Sequence, residues 1–358
     1  RSIDRFSWLP GGKTLVARAR HLGQRPLWLI DAASGRASAI SGSGTVGDFS
    51  VGNNRIVYAS DDLASPPDLY AVAFTGGRVV RLTHVNPDLQ SRRMGESEQF
   101  DFSGAQADRV FAYLVKPAQF RPGRTFPLAV LIHGGPHGSM ANGGQWGWNA
   151  QGFAGAGYAV LLIDFHGSSG YGQAFTDSIQ ADWGGKPLED IQKGIDAALA
   201  RYRWLDGKHL CALGEGYGGY LVNWIAGNLP DRFSCLVSHA GVFDNRSLYY
   251  STDRLAFPEW EFGGPEYANP AAYAHQNPMD HVKDWKTPML VIHGDKDYRV
   301  PIGEGLRLWY ELLSASGLPA DENGQSPHRF LYYPTENHWV LAPQHAKIWY
   351  QVVTAFLG

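Results

Sequence analysis

From residue 110 onward the sequence alternates short, uninterrupted apolar runs with amphipathic stretches, and that alternation leaves few folds open. The runs fall at 110–115, 128–133, 159–164, 210–213, 235–239, 289–293 and 330–333. Each is too short for a packed helix and lacks the polar alternation of a half-exposed strand, so each reads as a strand buried on both faces. Between them, the stretches 188–202, 219–227, 303–316 and 345–356 carry apolar residues at helical spacing. Strands alternating with helices build a largely parallel sheet covered on both sides, an α/β domain.

Residues 1–95 follow a different rule. Phe6-Ser7-Trp8, Pro10-Gly11-Gly12 and the apolar run 14–17 are echoed by Phe49-Ser50-Val51, Gly52-Asn53-Asn54 and the run 55–58. Leu27-Trp28-Leu29-Ile30 before Ser34-Gly35 is echoed by Leu69-Tyr70-Ala71-Val72 before Gly76-Gly77. The period, roughly 43 residues, is that of a four-stranded propeller blade. Two blades cannot close a propeller, which takes about four to eight. The expectation is therefore the C-terminal portion of a β-propeller over 1–95, whose remaining blades form a separate chain, and a second domain over 96–358 entered through a polar linker near 84–107. The absence of an initial Met or a signal peptide fits a piece cut from a longer chain.

Composition removes several function classes. A net charge of −3 and a pI near 6.5 give no basic surface for nucleic acid or an anionic membrane, and no apolar run approaches the roughly 20 residues of a bilayer span. No metal-ligand spacing or nucleotide loop is present, so no cofactor and no metal are expected. The 12 Trp and 17 Tyr suit an interdomain pocket and plain core packing equally. Cys211 and Cys235, the two cysteines, each lie inside a buried run and read as inert core thiols.

The chemistry centres on Gly214-Glu215-Gly216-Tyr217-Gly218-Gly219-Tyr220. A strand leads in and a helix leads out, the setting of the G-x-S-x-G nucleophile elbow of α/β-hydrolases. The central position, which should hold the nucleophile, is Gly216, and it has no hydroxyl with which to form an acyl-enzyme. Glu215 beside it is expected to aim away from position 216. Downstream, in the order such enzymes require, stand an acid and a histidine. The acid is Asp297, with Asp295 as its local competitor, and the histidine is His338 in Asn337-His338-Trp339. His133-Gly134-Gly135-Pro136-His137-Gly138 follows a strand and can offer the Gly135 N–H to a developing oxyanion; the second donor would be the N–H of Tyr217.

These motifs together resemble the prolyl oligopeptidase family of serine peptidases, in its acylaminoacyl-peptidase and dipeptidyl-peptidase branch. The elbow is similar to that family's G-x-S-x-G-G-Y, and with 133–138, Asp297-Tyr298-Arg299-Val300-Pro301 and Asn337-His338-Trp339 it looks like that branch, while Asp182-Trp183-Gly184-Gly185 and the stretch 257–264 look like bacterial members. The resemblance spans about 105 to the end and implies an α/β-hydrolase fold beneath a propeller that admits short peptides. It implies hydrolysis of oligopeptides with release of dipeptides or N-acylated amino acids. Relatives of this kind often dimerise or form higher oligomers, so a homo-oligomer is an expectation that no segment here carries.

In a serine form, His338 would take the hydroxyl proton while Asp297 holds the imidazole tautomer. A substrate pocket would draw on Tyr217, Val242, Tyr249, Trp260 and Val300, each of which serves equally well as core. Arg299 could bind a substrate carbonyl or form a surface ion pair. His166, where relatives often carry arginine, reads as a surface residue without a special role. Three readings follow: a peptidase knocked out at Gly216, a natural protein that binds peptides without cutting them, and a carboxylesterase of the same fold.

Overall fold

The computed structural model describes residues 2–140 and 142–358. The first region forms two consecutive four-stranded antiparallel meanders: β1 (Ile3–Trp8), β2 (Thr14–Ala19), β3 (Leu27–Asp31) and β4 (Ala37–Ala39), then β5 (Thr45–Val51), β6 (Arg55–Asp61), β7 (Asp68–Ala73) and β8 (Val80–Arg81). The repeated motifs occupy equivalent strands because each turn signal closes a hairpin between apolar runs. Leu9, Val16, Leu27, Ile40, Phe49, Ile56 and Val72 pack the two sheets against each other in one apolar cluster.

After the short helix α1 (Pro87–Gln90), the chain enters an eight-stranded mixed sheet. Its strands are β9 (Ser97–Ser103), β10 (Arg109–Val115), β11 (Phe126–Ile132), β12 (Ala159–Asp164), β13 (Leu205–Glu215), β14 (Cys235–His239), β15 (Met289–Gly294) and β16 (Arg329–Tyr333), ordered β16-β15-β14-β13-β11-β12-β10-β9. All neighbours from β12 to β16 are parallel, and β10 runs antiparallel to both β12 and β9. Strand β9 lies inside the stretch expected to be linker. Its alternation of polar residues with buried Phe100 and Phe102 marks a half-buried strand that its charge had obscured.

The helices are α2 (Ala150–Gly155), α3 (Gln173–Asp177), α4 (Lys186–Arg201), α5 (Tyr217–Asn228), α6 (Asn245–Ser251), α7 (Ala256–Phe262), α8 (Pro270–Ala274), α9 (Ile302–Ser314) and α10 (Pro343–Leu357). Leu210 and Ala212 of β13 face one core with Ile191 and Ile195 of α4, Leu221 of α5 and Leu308 of α9. Cys211 and Leu213 face the opposite core with Phe153 of α2 and Trp349 of α10. Strand β13 is thus buried on both sides, as its unbroken apolar run requires. Helices α6 to α8 form an insertion between β14 and β15 that the alternation pattern did not reveal.

Two expectations are corrected by these contacts. Cys211 and Cys235 are not free thiols; they form a disulfide. They are register partners on adjacent parallel strands, with Cα atoms 4.8 Å apart, inside the range a disulfide spans. His166 is not a surface residue. It is buried, its Nδ1 lies 2.6 Å from Asp190 Oδ2 and its Nε2 3.2 Å from Asp108 Oδ2. Asp190 also accepts the N–H groups of Ala105 and His166, so its buried charge is fully hydrogen-bonded.

The meanders dock on the hydrolase domain through polar contacts around Asn142. Its N–H donates to Gly23 O (2.7 Å), its carbonyl accepts from Thr45 Oγ1 (3.0 Å), and Gly144 N–H donates to Asp61 Oδ1 (2.8 Å). Arg20 reaches across to Ser169 Oγ (2.7 Å).

Candidate active site

Strand β13 ends at Glu215 and helix α5 begins at Tyr217, so a single residue makes the turn. That residue, Gly216, has φ 60° and ψ −116°, a combination costly for any residue with a Cβ. The turn is this tight because its flanks touch: a Cβ at Gly214 would lie 2.3 Å from the Gly218 backbone, and one at Gly218 2.1 Å from Ile132 O. The N–H of Gly216 donates to His239 O (3.0 Å) and its carbonyl accepts from Tyr220 N–H (2.9 Å), which ties the turn to β14 and to α5.

His338 and Asp297 arrive from the loops after β16 and β15. Asp297 Oδ2 lies 2.7 Å from His338 Nδ1, and Oδ1 accepts the N–H groups of Arg299 and Val300, both at 2.9 Å. Burial alone would raise the Asp297 carboxyl, but the rings of His293 and His338 and the Val300 N–H outweigh it and hold the group well below the usual carboxylate range. An ionised Asp297 can only accept, so His338 Nδ1 is the donor in this bond, and in the neutral ring that leaves the lone pair on Nε2. Asp295, the competitor, is exposed. A Cβ placed on Gly216 would point at His338, 3.0 Å from Nε2, and outside residues 215–217 no described atom other than this ring lies within 4 Å of it.

The loop 133–138 lies against the elbow; a Cβ at Gly134 would be 2.7 Å from Glu215 O and 4.0 Å from Tyr217 N. Tyr217 is the first residue of α5, so its N–H has no acceptor within the helix. Two histidines pin this loop. His133 Nε2 is 2.8 Å from Ser168 Oγ, and the ring stacks on Phe165. His137 Nε2 is 2.8 Å from Glu261 Oε1, and Glu261, fully buried, also accepts from Trp183 Nε1 (2.8 Å).

The elbow, His338 and the 133–138 loop open into one cleft of about 1010 Å³, with Asp297 buried behind the histidine. Of the residues expected to line a substrate pocket, Tyr217, Val242, Arg299 and Val300 do so. Tyr217 shows the cleft its ring, since its hydroxyl is spent on Trp183 O (2.6 Å). Arg299 lines the cleft and also pairs with Asp253 (2.7 Å). Tyr249 and Trp260 lie elsewhere. Leu248 is the α6 residue that faces the cleft, and Tyr249, one position on, turns about 100° away to meet Tyr250, Tyr273 and Glu259. On α7, Phe257 and Glu261 point inward one turn apart, which leaves Trp260 62% exposed beside an adjoining hollow of about 780 Å³ that Arg20 and Arg254 also line.

Sequence reasoning missed Trp148, Trp183, Leu248 and Phe257 as cleft residues; the Asp-Trp-Gly-Gly stretch and the stretch 257–264 are the signals that bear on Trp183 and Phe257. Glu215 is a further residue of the cleft. Strand alternation does carry it to the α10 face, yet it lines the cleft, accepting from Trp148 Nε1. Burial pushes its carboxyl up to about 7. Its register partner His239 is pushed down to about 3 by burial. Among the described residues, no group of three or more His, Cys, Asp or Glu is placed to hold a metal ion, and no helix is long and apolar enough to cross a membrane.

The family model described as the prolyl oligopeptidase family matches residues 145–358. Dipeptidyl-peptidase 5 of Schizosaccharomyces pombe is 34% identical over 366 residues, covering 100% of this chain and 51% of that protein. A probable dipeptidyl-peptidase 5 of Aspergillus clavatus is 35% identical over 368 residues, covering 100% of this chain and 49% of its own. Among solved structures, the acylaminoacyl peptidase of Pyrococcus horikoshii superposes with a TM-score of 0.86 at 22% identity, over 99% of this chain and 56% of that one, a likeness of fold. The chain spans about half the length of the curated relatives it matches. With an α/β-hydrolase sheet, an elbow at 216 and a family model that matches residues 145–358, more than half of its length, the chain belongs to the prolyl oligopeptidase family.

Proposed function

We propose that this chain is the catalytic portion of a serine-type exopeptidase for short peptides, releasing dipeptides or N-acylated amino acids, with glycine at the nucleophile position. The observation that carries the reading is the line Asp297–His338–216: beyond its chain neighbours, a side chain grown from Gly216 meets the His338 ring, Nε2 foremost, and no other described atom within 4 Å. With serine at 216, His338 accepts the hydroxyl proton as Oγ attacks. Asp297 holds the tautomer and stabilises the imidazolium, and the N–H groups of Gly135 and Tyr217 receive the oxyanion. With glycine there is no acyl-enzyme.

The relatives' names support dipeptidyl release, and the structural neighbour's name supports acylaminoacyl release. The two meanders read as the closing blades of a propeller over the cleft. The apolar residues Ile3, Phe6 and Trp8 on the outermost strand, 50–62% exposed, are surface that further blades outside these 358 residues would cover. A second reading, a protein that binds peptides without cutting them, is favoured by Gly216 itself beside an otherwise complete cleft. The test is Gly216→Ser: peptidase activity supports the first reading, and a folded, silent serine form supports the second.

A further inference from the structure

We infer that this glycine form is a general-base catalyst for small external nucleophiles, with the His338–Asp297 pair activating a two-heavy-atom nucleophile seated where a serine side chain would lie. The inference rests on the reading of 216 as the nucleophile position. His338 Nε2 makes no hydrogen bond within the described residues, while Nδ1 is fixed at 2.7 Å from Asp297. The lone pair therefore points into the cleft. The position a Cβ would occupy on Gly216 is 3.0 Å from that nitrogen, so a small O–H or N–H donor resting against the open side of the glycine comes within hydrogen-bonding reach of Nε2. Outside residues 215–217, no described atom besides the His338 ring lies within 4 Å of that position. A serine side chain has two heavy atoms, and so do hydroxylamine and methanol. Such a molecule can sit between His338 Nε2 and an acyl carbon whose oxygen points at the Gly135 and Tyr217 N–H groups.

The step balances without a further reactant. The hydroxylamine nitrogen bonds to the carbonyl carbon of a peptide ethyl ester, and its proton passes to His338 Nε2. The tetrahedral intermediate collapses, the C–O bond to ethoxide breaks, and Nε2 returns the proton to the departing ethoxide. The products are a hydroxamate and ethanol, formed in one displacement with no covalent enzyme intermediate.

The experiment incubates the 358-residue chain with N-acetylated and free-amine dipeptide ethyl esters and increasing hydroxylamine, and measures hydroxamate. General-base assistance contributes about 10²–10⁴-fold, so the expected result is formation at least ~10²-fold above that of His338→Ala. Gly216→Ala places its methyl on the seat and should abolish the gain while staying folded by circular dichroism. N,O-dimethylhydroxylamine, with twice the heavy atoms, should be a poor substitute. Equal rates in the glycine, Gly216→Ala and His338→Ala forms overturn the inference. The serine form separates the two claims. An active Gly216→Ser form beside an unresponsive glycine form sinks this inference alone, whereas a folded, silent Gly216→Ser form sinks the reading beneath it.

Discussion

Gly216→Ala and Gly216→Ser test whether position 216 is built for a strained nucleophile. The backbone there, φ 60° and ψ −116°, costs a residue bearing a Cβ about 1–3 kcal/mol. Replacing glycine also removes entropy from the unfolded chain, which returns about 0.4–1 kcal/mol. The new Cβ would stand 3.0 Å from His338 Nε2, so the imidazole must yield a few tenths of an ångström, and its side chain, 13% exposed at the cleft wall, can do so. Alanine should therefore lower stability by about 1–2 kcal/mol. Serine carries the same backbone cost and adds a hydrogen bond to Nε2 worth about 1 kcal/mol, so its loss should be about 0–1 kcal/mol. Urea unfolding followed by tryptophan fluorescence reads both, as a shift of midpoint at constant slope, with the buried Trp183 among the reporters. The predicted order is Gly above Ser above Ala. An alanine form more stable than the glycine form would refute the claim that the elbow holds this residue under strain.

Four further outcomes follow from the site and its core. Removing the disulfide with the Cys211→Ala/Cys235→Ala double variant should cost about 3 kcal/mol from loop-closure entropy over the 24-residue separation; an unchanged urea midpoint contradicts the bridge. Asp297→Asn in the Gly216→Ser form should cut kcat roughly 10³–10⁴-fold by releasing the imidazole tautomer. Because the folded state depresses the Asp297 carboxyl, its stabilising contribution is present above the unfolded pKa and fades as pH falls through the folded one, so Asp297→Asn should flatten the acid side of the stability curve. Glu215 has the opposite sign: its carboxyl rises from 4.5 to about 7, so its contribution is complete below pH 4.5 and is lost as pH climbs through about 7. Urea midpoints across that window should fall less steeply in Glu215→Gln, and an unchanged slope would contradict the buried placement.

Much of the site was legible because its residues sit on loops that directly follow buried strands. The strands announce themselves by unbroken apolar runs, and the order elbow, acid, histidine then places Gly216, Asp297 and His338. The choice between Asp297 and Asp295 was open at the level of residues; it turns on which carboxylate meets the N–H groups of Arg299 and Val300. What the sequence hid depends on contacts far along the chain. The Cys211–Cys235 bond follows from strand register, which two separate apolar runs do not disclose. His166 is buried because Asp190, a full helix away on α4, reaches under it. Tyr249 and Trp260 were placed in the pocket by proximity in sequence, but the short helices α6 and α7 turn Leu248 and Phe257 inward instead. In helices of 7 residues the inward positions are too few for periodicity to fix the phase.

The most direct measurement is the peptidase activity of the Gly216→Ser form, in the 358-residue chain and again in a longer chain that carries the proposed further blades. The substrates would be a free-amine dipeptide anilide and an N-acetylated aminoacyl anilide. The account predicts cleavage of one of the two, abolished by adding His338→Ala. A serine form that is folded, has its blades, and leaves both substrates intact would contradict it.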